Sequence, residues 1–212
     1  MNHSMKGNDG KVYKTVKIGN QVWLAENLRE TQYRNGDVIP NVTDNIKWAH
    51  YPTGALCVYD NKISNAATYG YLYNWFAVDD SRNISPPGFR VPTDDDWKEL
   101  EMSMGMNRSE LMKVWRHSPV GSKLAGYASL WISKEIKRYS EFGVSGFSAL
   151  PGGYREGSHG LFNGLGIGAY FWSATVNYTS RAWGRHLYYN GSGVTRYDYN
   201  RRYGFSVRLV SD

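Results

Sequence analysis

Alternation is the first signal along the chain. Between residues 11 and 18, Val12, Thr15, Val16 and Ile18 are interleaved with Lys11, Lys14 and Lys17. Gln21, Val22, Trp23 and Leu24 resume the pattern after Gly19-Asn20, so residues 11–24 read as a β-hairpin closed by a tight turn. Residues 29–50 are polar and irregular and predict a long loop. Residues 69–78 form a continuous aromatic run, buried but undecided between strand and helix, and Ser85-Pro86-Pro87-Gly88 breaks the chain after it.

The clearest helix starts at Thr93. Its hydroxyl suits an N-cap, Asp94, Asp95 and Asp96 complement the positive end of the helix dipole, and Trp97, Leu100 and Met104 fall on one face. A second helix is expected from Asn107 or Ser109, carrying Leu111, Met112 and Trp115. Beyond Gly143 the helical period disappears. Short strands at residues 170–176, 183–189, 194–199 and 205–210 alternate with Gly-rich turns. Strands, two helices and a closing meander make an α+β chain. It reads as one domain over residues 11–212 behind a flexible segment, residues 1–10.

Composition sharpens this picture. The chain has 212 residues, of which 41 % are hydrophobic, enough for a real core. The 17 Tyr and 8 Trp supply large amphipathic surfaces, and the 23 Gly imply many turns. No apolar run reaches the roughly 18 residues of a membrane span. The first ten residues lack the apolar stretch of an export signal. Cys57 is the single cysteine. It excludes an intrachain disulfide and a multi-cysteine metal site, and its apolar neighbours Ala55, Leu56 and Val58 mark it as a buried, inert thiol.

Catalytic motifs are sparse. His3, His50, His117, His159 and His186 have no metal-binding spacing. Gly157-Ser158-His159-Gly160 lacks the strand–helix context of a nucleophile elbow. Gly164 to Ala169 matches a dinucleotide fingerprint, but strand-forming residues follow where a helix should start. The three aspartates read as cap and dipole partners rather than a cation site. No catalytic residue and no metal ligand is assigned, and the chain is read as a non-enzyme.

The closing strands carry the functional expectation. If Leu187 points inward, Trp183 and Arg185 share its face, while Gly184, His186 and Tyr188 point out. If Val194 is buried, Thr195, Tyr197 and Tyr199 point out. Phe205, Val207 and Leu209 then lie inside. Tyr with Ser, Gly and Asn is the vocabulary of recognition surfaces. Arg181, Arg185, Arg196, Arg201, Arg202 and Arg208 face a single acid, Asp198, between residues 177 and 208, which accounts for most of the formal charge of +6. An acidic protein or glycan is the expected partner.

Six phrases, in order, resemble a known family. They are Gln21-Val-Trp-Leu-Ala-Glu-Asn-Leu28, Tyr69-Gly-Tyr-Leu-Tyr-Asn-Trp75, Gly88-Phe-Arg-Val-Pro-Thr-Asp-Asp-Asp-Trp97, Gly146-Phe-Ser-Ala-Leu-Pro-Gly-Gly-Tyr-Arg155, Tyr170-Phe-Trp-Ser-Ala-Thr175 and Gly204-Phe-Ser-Val-Arg-Leu-Val210. Together they resemble the Fibrobacter succinogenes major paralogous domain family, common in surface proteins of gut Bacteroidetes. The third and sixth phrases also look like the formylglycine-generating-enzyme branch of the C-type-lectin fold.

The resemblance implies a C-type-lectin-like fold: a twisted antiparallel sheet, paired terminal strands, two flanking helices and long Gly-rich loops. It implies no enzyme activity, because the second cysteine of that chemistry is missing. The calcium motifs of sugar-binding C-type lectins do not appear, so no cofactor is expected beyond, at most, a structural calcium ion.

A narrower resemblance concerns residues 177–203, which look like the variable region of proteins diversified by retroelements. The positions implied are Tyr178, Ser180, Arg181, Gly184, His186, Tyr188, Tyr189, Ser192, Thr195, Tyr197, Asp198, Tyr199, Asn200, Arg202 and Tyr203. The expectation is a receptor-binding or adhesin-like module outside the cell, on a bacterial surface or a phage particle. The alternatives are a single-stranded nucleic-acid binder, the less favoured partner, and an enzyme of that branch with lost or different chemistry.

Overall fold

The computed structural model describes residues 4–116, 118–133 and 135–212. Among the described residues, twelve short strands and five helices follow one another. They are β1 Ser4–Lys6, β2 Val12–Ile18, β3 Gln21–Leu24, α1 Asn45–Ala49, β4 Leu56–Cys57, α2 Ser64–Tyr69, β5 Leu72–Tyr73, α3 Trp75–Val78 and β6 Phe89–Arg90. Then come α4 Asp94–Ser103, α5 Val120–Leu124, β7 Gly152–Arg155, β8 Phe162–Leu165, β9 Gly168–Tyr178, β10 Arg181–Tyr188, β11 Val194–Asn200 and β12 Val210–Ser211. The chain is α+β.

One five-stranded sheet has the order β1-β2-β3-β12-β6, so the end of the chain is inserted between the N-terminal hairpin and β6. The second has the order β11-β10-β9-β7-β8, antiparallel except for the β7–β9 pair. The hairpin forms as its alternation predicts, with Ile18 opposite Gln21. The segment before it is not loose throughout: Met5 is buried, and β1 pairs with β2 over Ser4–Lys6.

Helix α4 starts as its sequence requires. The Thr93 hydroxyl accepts from the Asp96 amide, and the Asp96 carboxylate accepts from the Thr93 amide, a reciprocal capping box. Trp97 and Leu100 are fully buried. Trp97 meets Trp23, Phe147 and Phe171 with ring centroids 5.0–5.7 Å apart, and these rings form the centre of one core cluster. A second cluster, around Trp172, Trp75, Tyr73 and Phe205, lies on the other face of β9. It is held by Trp172 Nε1 donating to the Tyr73 carbonyl at 2.8 Å and Trp75 Nε1 to that of Ser173 at 2.9 Å.

Three elements depart from their expected form. Residues 29–50 are mostly loop, but they bury Tyr33, Ile39, Val42 and Trp48 and close on α1. The expected second helix is only a 3-10 turn, Arg108–Glu110. Past it the chain is drawn out so that the Val114 carbonyl accepts from the Arg196 amide of β11, and tertiary pairing overrides the local preference. Residues 205–210 enter a ladder only at β12. Phe205, Val207 and Leu209 are fully buried as expected, yet so is Arg208, because the segment is packed on both sides. Arg208 donates to the carbonyls of Leu24, Phe147 and Ser148 and to Asn27 Oδ1. Burial among these neutral acceptors pulls its pKa down to about 9.

Candidate ligand-binding cleft

The register of β10 and β11 sorts their side chains onto two faces. Ala182 lies opposite Tyr199, Gly184 opposite Tyr197 and His186 opposite Thr195; Trp183 lies opposite Asp198 and Arg185 opposite Arg196. Paired residues share a face. The parity read from Leu187 and Val194 therefore holds. The first face is not a flat solvated sheet, however, because β7, β9 and the 203–205 turn bring further rings over it.

Those rings close on themselves. Tyr154 and Tyr170 have centroids 4.7 Å apart, Tyr170 and His186 5.3 Å, His186 and Tyr199 6.3 Å, Tyr199 and Tyr203 6.0 Å, and Tyr203 and Tyr154 5.8 Å. Phe205 sits under this ring of five, 4.8 Å from Tyr199 and 5.4 Å from Tyr170, and stacks below on Trp172 at 4.4 Å. Above it is a hollow of about 300 Å³, completed by Thr195, Tyr197 and Trp115. Among the described residues, no Asp, Glu, Lys or Arg lines it.

The cup is electrically quiet. Burial lowers the His186 pKa to about 4, so the imidazole is neutral at pH 7, with Nδ1 2.5 Å from the Tyr199 hydroxyl. Burial also holds the Tyr170 and Tyr199 phenols protonated well above the usual tyrosine range. What the cup offers is ring faces, C–H edges and hydroxyls.

A model of the Fibrobacter succinogenes major domain matches residues 16–211. The chain belongs to that family. No curated protein and no solved structure matches it.

Within this Fibrobacter succinogenes major domain, the fifteen residues expected to form the face are divided. Tyr178, Ser180, Tyr188, Tyr197 and Arg202 are exposed, Tyr178 at 66 %, Tyr197 at 41 % and Tyr188 at 38 %. His186, Tyr199 and Tyr203 are half-buried because they build the cup. Asn200 is half-buried beside it. Gly184, Ser192 and Thr195 are buried rather than outward. Thr195 is nonetheless part of the cup wall, whereas the Ser192 carbonyl is taken by the Ser122 amide. Tyr189 packs against the Trp97 core, away from the cup. Asp198 lies on the opposite face, where it accepts from Arg181 and Asn177.

The arginines are mostly not at the surface. Behind the sheet, Asp94 accepts from Arg185 at 2.8 Å and from Arg196 at 2.9 Å; Arg185 also reaches Glu101 at 2.6 Å, and Glu101 pairs with Arg116 at 2.6 Å. Arg196 stacks 3.4 Å over the half-buried Trp183 ring. These cations hold Asp94 far below the usual carboxylate range against the opposing effect of its burial. Asp94 is thus an internal counter-ion and not only a cap. With Arg208 also buried, half of the arginines counted in sequence lie inside the fold, Arg181 and Arg201 are half-buried, and Arg202 alone of the six is exposed.

The sequence reading missed Trp115, Tyr154, Tyr170 and Phe205 as cup residues. Tyr170 was findable, since it lies opposite His186 across β9–β10. Trp115, 68 % exposed on the lip, was assigned to the helix that does not form. Cys57 is fully buried and its pKa is pushed up to about 12. His3 and His117 lie outside the described residues. A larger hollow of about 550 Å³, bordered by Lys14, Glu26, Arg29 and Tyr127, contains none of the expected face residues.

Proposed function

We propose that this domain is a non-catalytic binding module of C-type-lectin-like fold, displayed on a bacterial surface or a phage particle, that grips a protein or glycan in its aromatic cup. The observation that supports this reading is the closed ring of Tyr154, Tyr170, His186, Tyr199 and Tyr203 over Phe205. Large rigid rings with polar tips give contact area at low entropic cost, which suits recognition. Insertion of β12 beside the N-terminal hairpin, with α4 at the flank, supports the C-type-lectin-like assignment. Substitution at the exposed positions by a retroelement would alter the rim of the cup and leave its floor intact.

The burial of Arg185, Arg196 and Arg208 weighs against nucleic acid, whose phosphates would need those cations in reach. Neutral His186 and firmly protonated tyrosines favour holding a ligand over transforming it. The test is binding of the Tyr197→Ala/Tyr203→Ala variant to arrayed glycans and to intact bacterial cells. Loss of binding is expected with the fold retained and only a modest drop in melting temperature, because Tyr203 packs half-buried on Phe205. Full binding by that variant would overturn the proposal.

A further inference from the structure

The cup does not stand alone. At one end it opens into a hollow of about 500 Å³ bordered by Tyr188, Asn190 and Gly193, with Trp115, Tyr170, His186 and Thr195 as the shared wall. At the other end lies a hollow of about 560 Å³ bordered by His50, Ser158, Asn200 and Arg202, with Tyr197, Tyr199 and Tyr203 shared. Among the described residues the two outer hollows have none in common, while each shares a wall with the cup, so the cup lies between them. The line follows β10 from Tyr188 to Arg181, eight residues and about 24 Å at the rise of an extended strand.

Resting on the reading of the cup as a binding site, we propose that this trough holds an internal stretch of a linear polysaccharide, at least three sugar rings long, with the middle ring in the cup. A pyranose has an apolar C–H face and a rim of hydroxyls, the same division that a tyrosine presents. The cup asks for no charge and offers ring faces together with the hydroxyls of Tyr and Thr195. A peptide added as a β-strand would instead need free main-chain partners. Along the floor these are absent, because β10 is paired on both sides, with β9 and with β11.

A site for a terminal sugar would be closed at one end, whereas this trough leads out past Tyr188 and past Arg202. The ends also differ. Asn190 and Tyr188 border one, while His50, Arg181 and Arg202 border the other, which gives the bound chain a direction and places any acidic sugar at the end held by Arg181 and Arg202.

The test is calorimetric titration with soluble oligomers of one to six units: xylose, glucose in both 1,4 linkages, mannose and galacturonate. In at least one series, affinity should rise more than tenfold from one unit to three and then level off. Tyr188→Ala and Arg202→Ala, both at exposed positions, should each weaken the trimer several-fold and leave the monomer unchanged. Equal affinity for monomer and trimer would overturn the trough and leave the cup standing. Binding by none of the series would also overturn it, and a protein partner lost in the Tyr197→Ala/Tyr203→Ala variant would then show that the cup itself still serves. Undiminished binding of every ligand by that variant would remove both.

Discussion

The ring of Tyr199 lies across the backbone of Gly184: a Cβ built there would meet the ring at 3.2 Å and the Phe171 carbonyl at 2.9 Å. The glycine is what lets the ring settle over the strand and complete the cup. Gly184→Ala is therefore expected to push Tyr199 outward, at a stability cost of about 1–3 kcal/mol. Ligand affinity should fall more than stability does. Urea denaturation combined with ligand titration separates the two.

The double variant Tyr188→Ala/Tyr197→Ala should melt within a few degrees of the wild type, since both rings are partly exposed. Phe205→Ala should cost about 3–5 kcal/mol, because the floor of the cup is a fully buried ring packed on Trp172. Thermal melts of both proteins check the contrast. A large loss in the tyrosine variant would mean that those rings belong to the core.

Asp94→Asn should be far more damaging than a surface change. It removes the counter-ion of Arg185 and Arg196 in a buried setting, where breaking a pair costs about 3–5 kcal/mol. The Asp94 pKa lies below the unfolded value of 3.8, so its contribution is complete above about pH 4 and is lost as the pH falls further. The variant should show a flatter acid limb when stability is measured by urea titration from pH 2 to 6.

His186 gives a second, separable pH dependence. Its pKa falls from 6.5 in the unfolded chain to about 4 in the fold, so the unfolded state binds the extra proton between those values. Stability should thus decline as the pH drops from 6.5 toward 4, and His186→Gln should remove that slope. The imidazole C–H resonances should titrate near pH 4.

Much of the frame was legible from local pattern. The hairpin at Gly19-Asn20, the cap at Thr93 and the parity of Leu187 and Val194 each rest on neighbours in sequence. The cup did not, because its five rings come from β7, β9, β10, β11 and the turn at Tyr203, and only pairing registers bring them together. The arginines misled for a related reason. Charge counted along a strand does not reveal that Arg185 and Arg196 turn toward Asp94 and Glu101, 84 to 102 residues away in sequence. The failed helix near Asn107 belongs here too, since its competitor is an edge strand far downstream.

The buried ionic cluster and the aromatic hollow lie back to back on the same pair of strands. A change at Tyr188 or Tyr197 is felt on one side only, so on the proposed reading a lineage could rewrite what the cup holds residue by residue while the packing behind stays untouched. For such a molecule, the pace at which new specificities arise is set by the supply of mutations, not by the tolerance of its architecture.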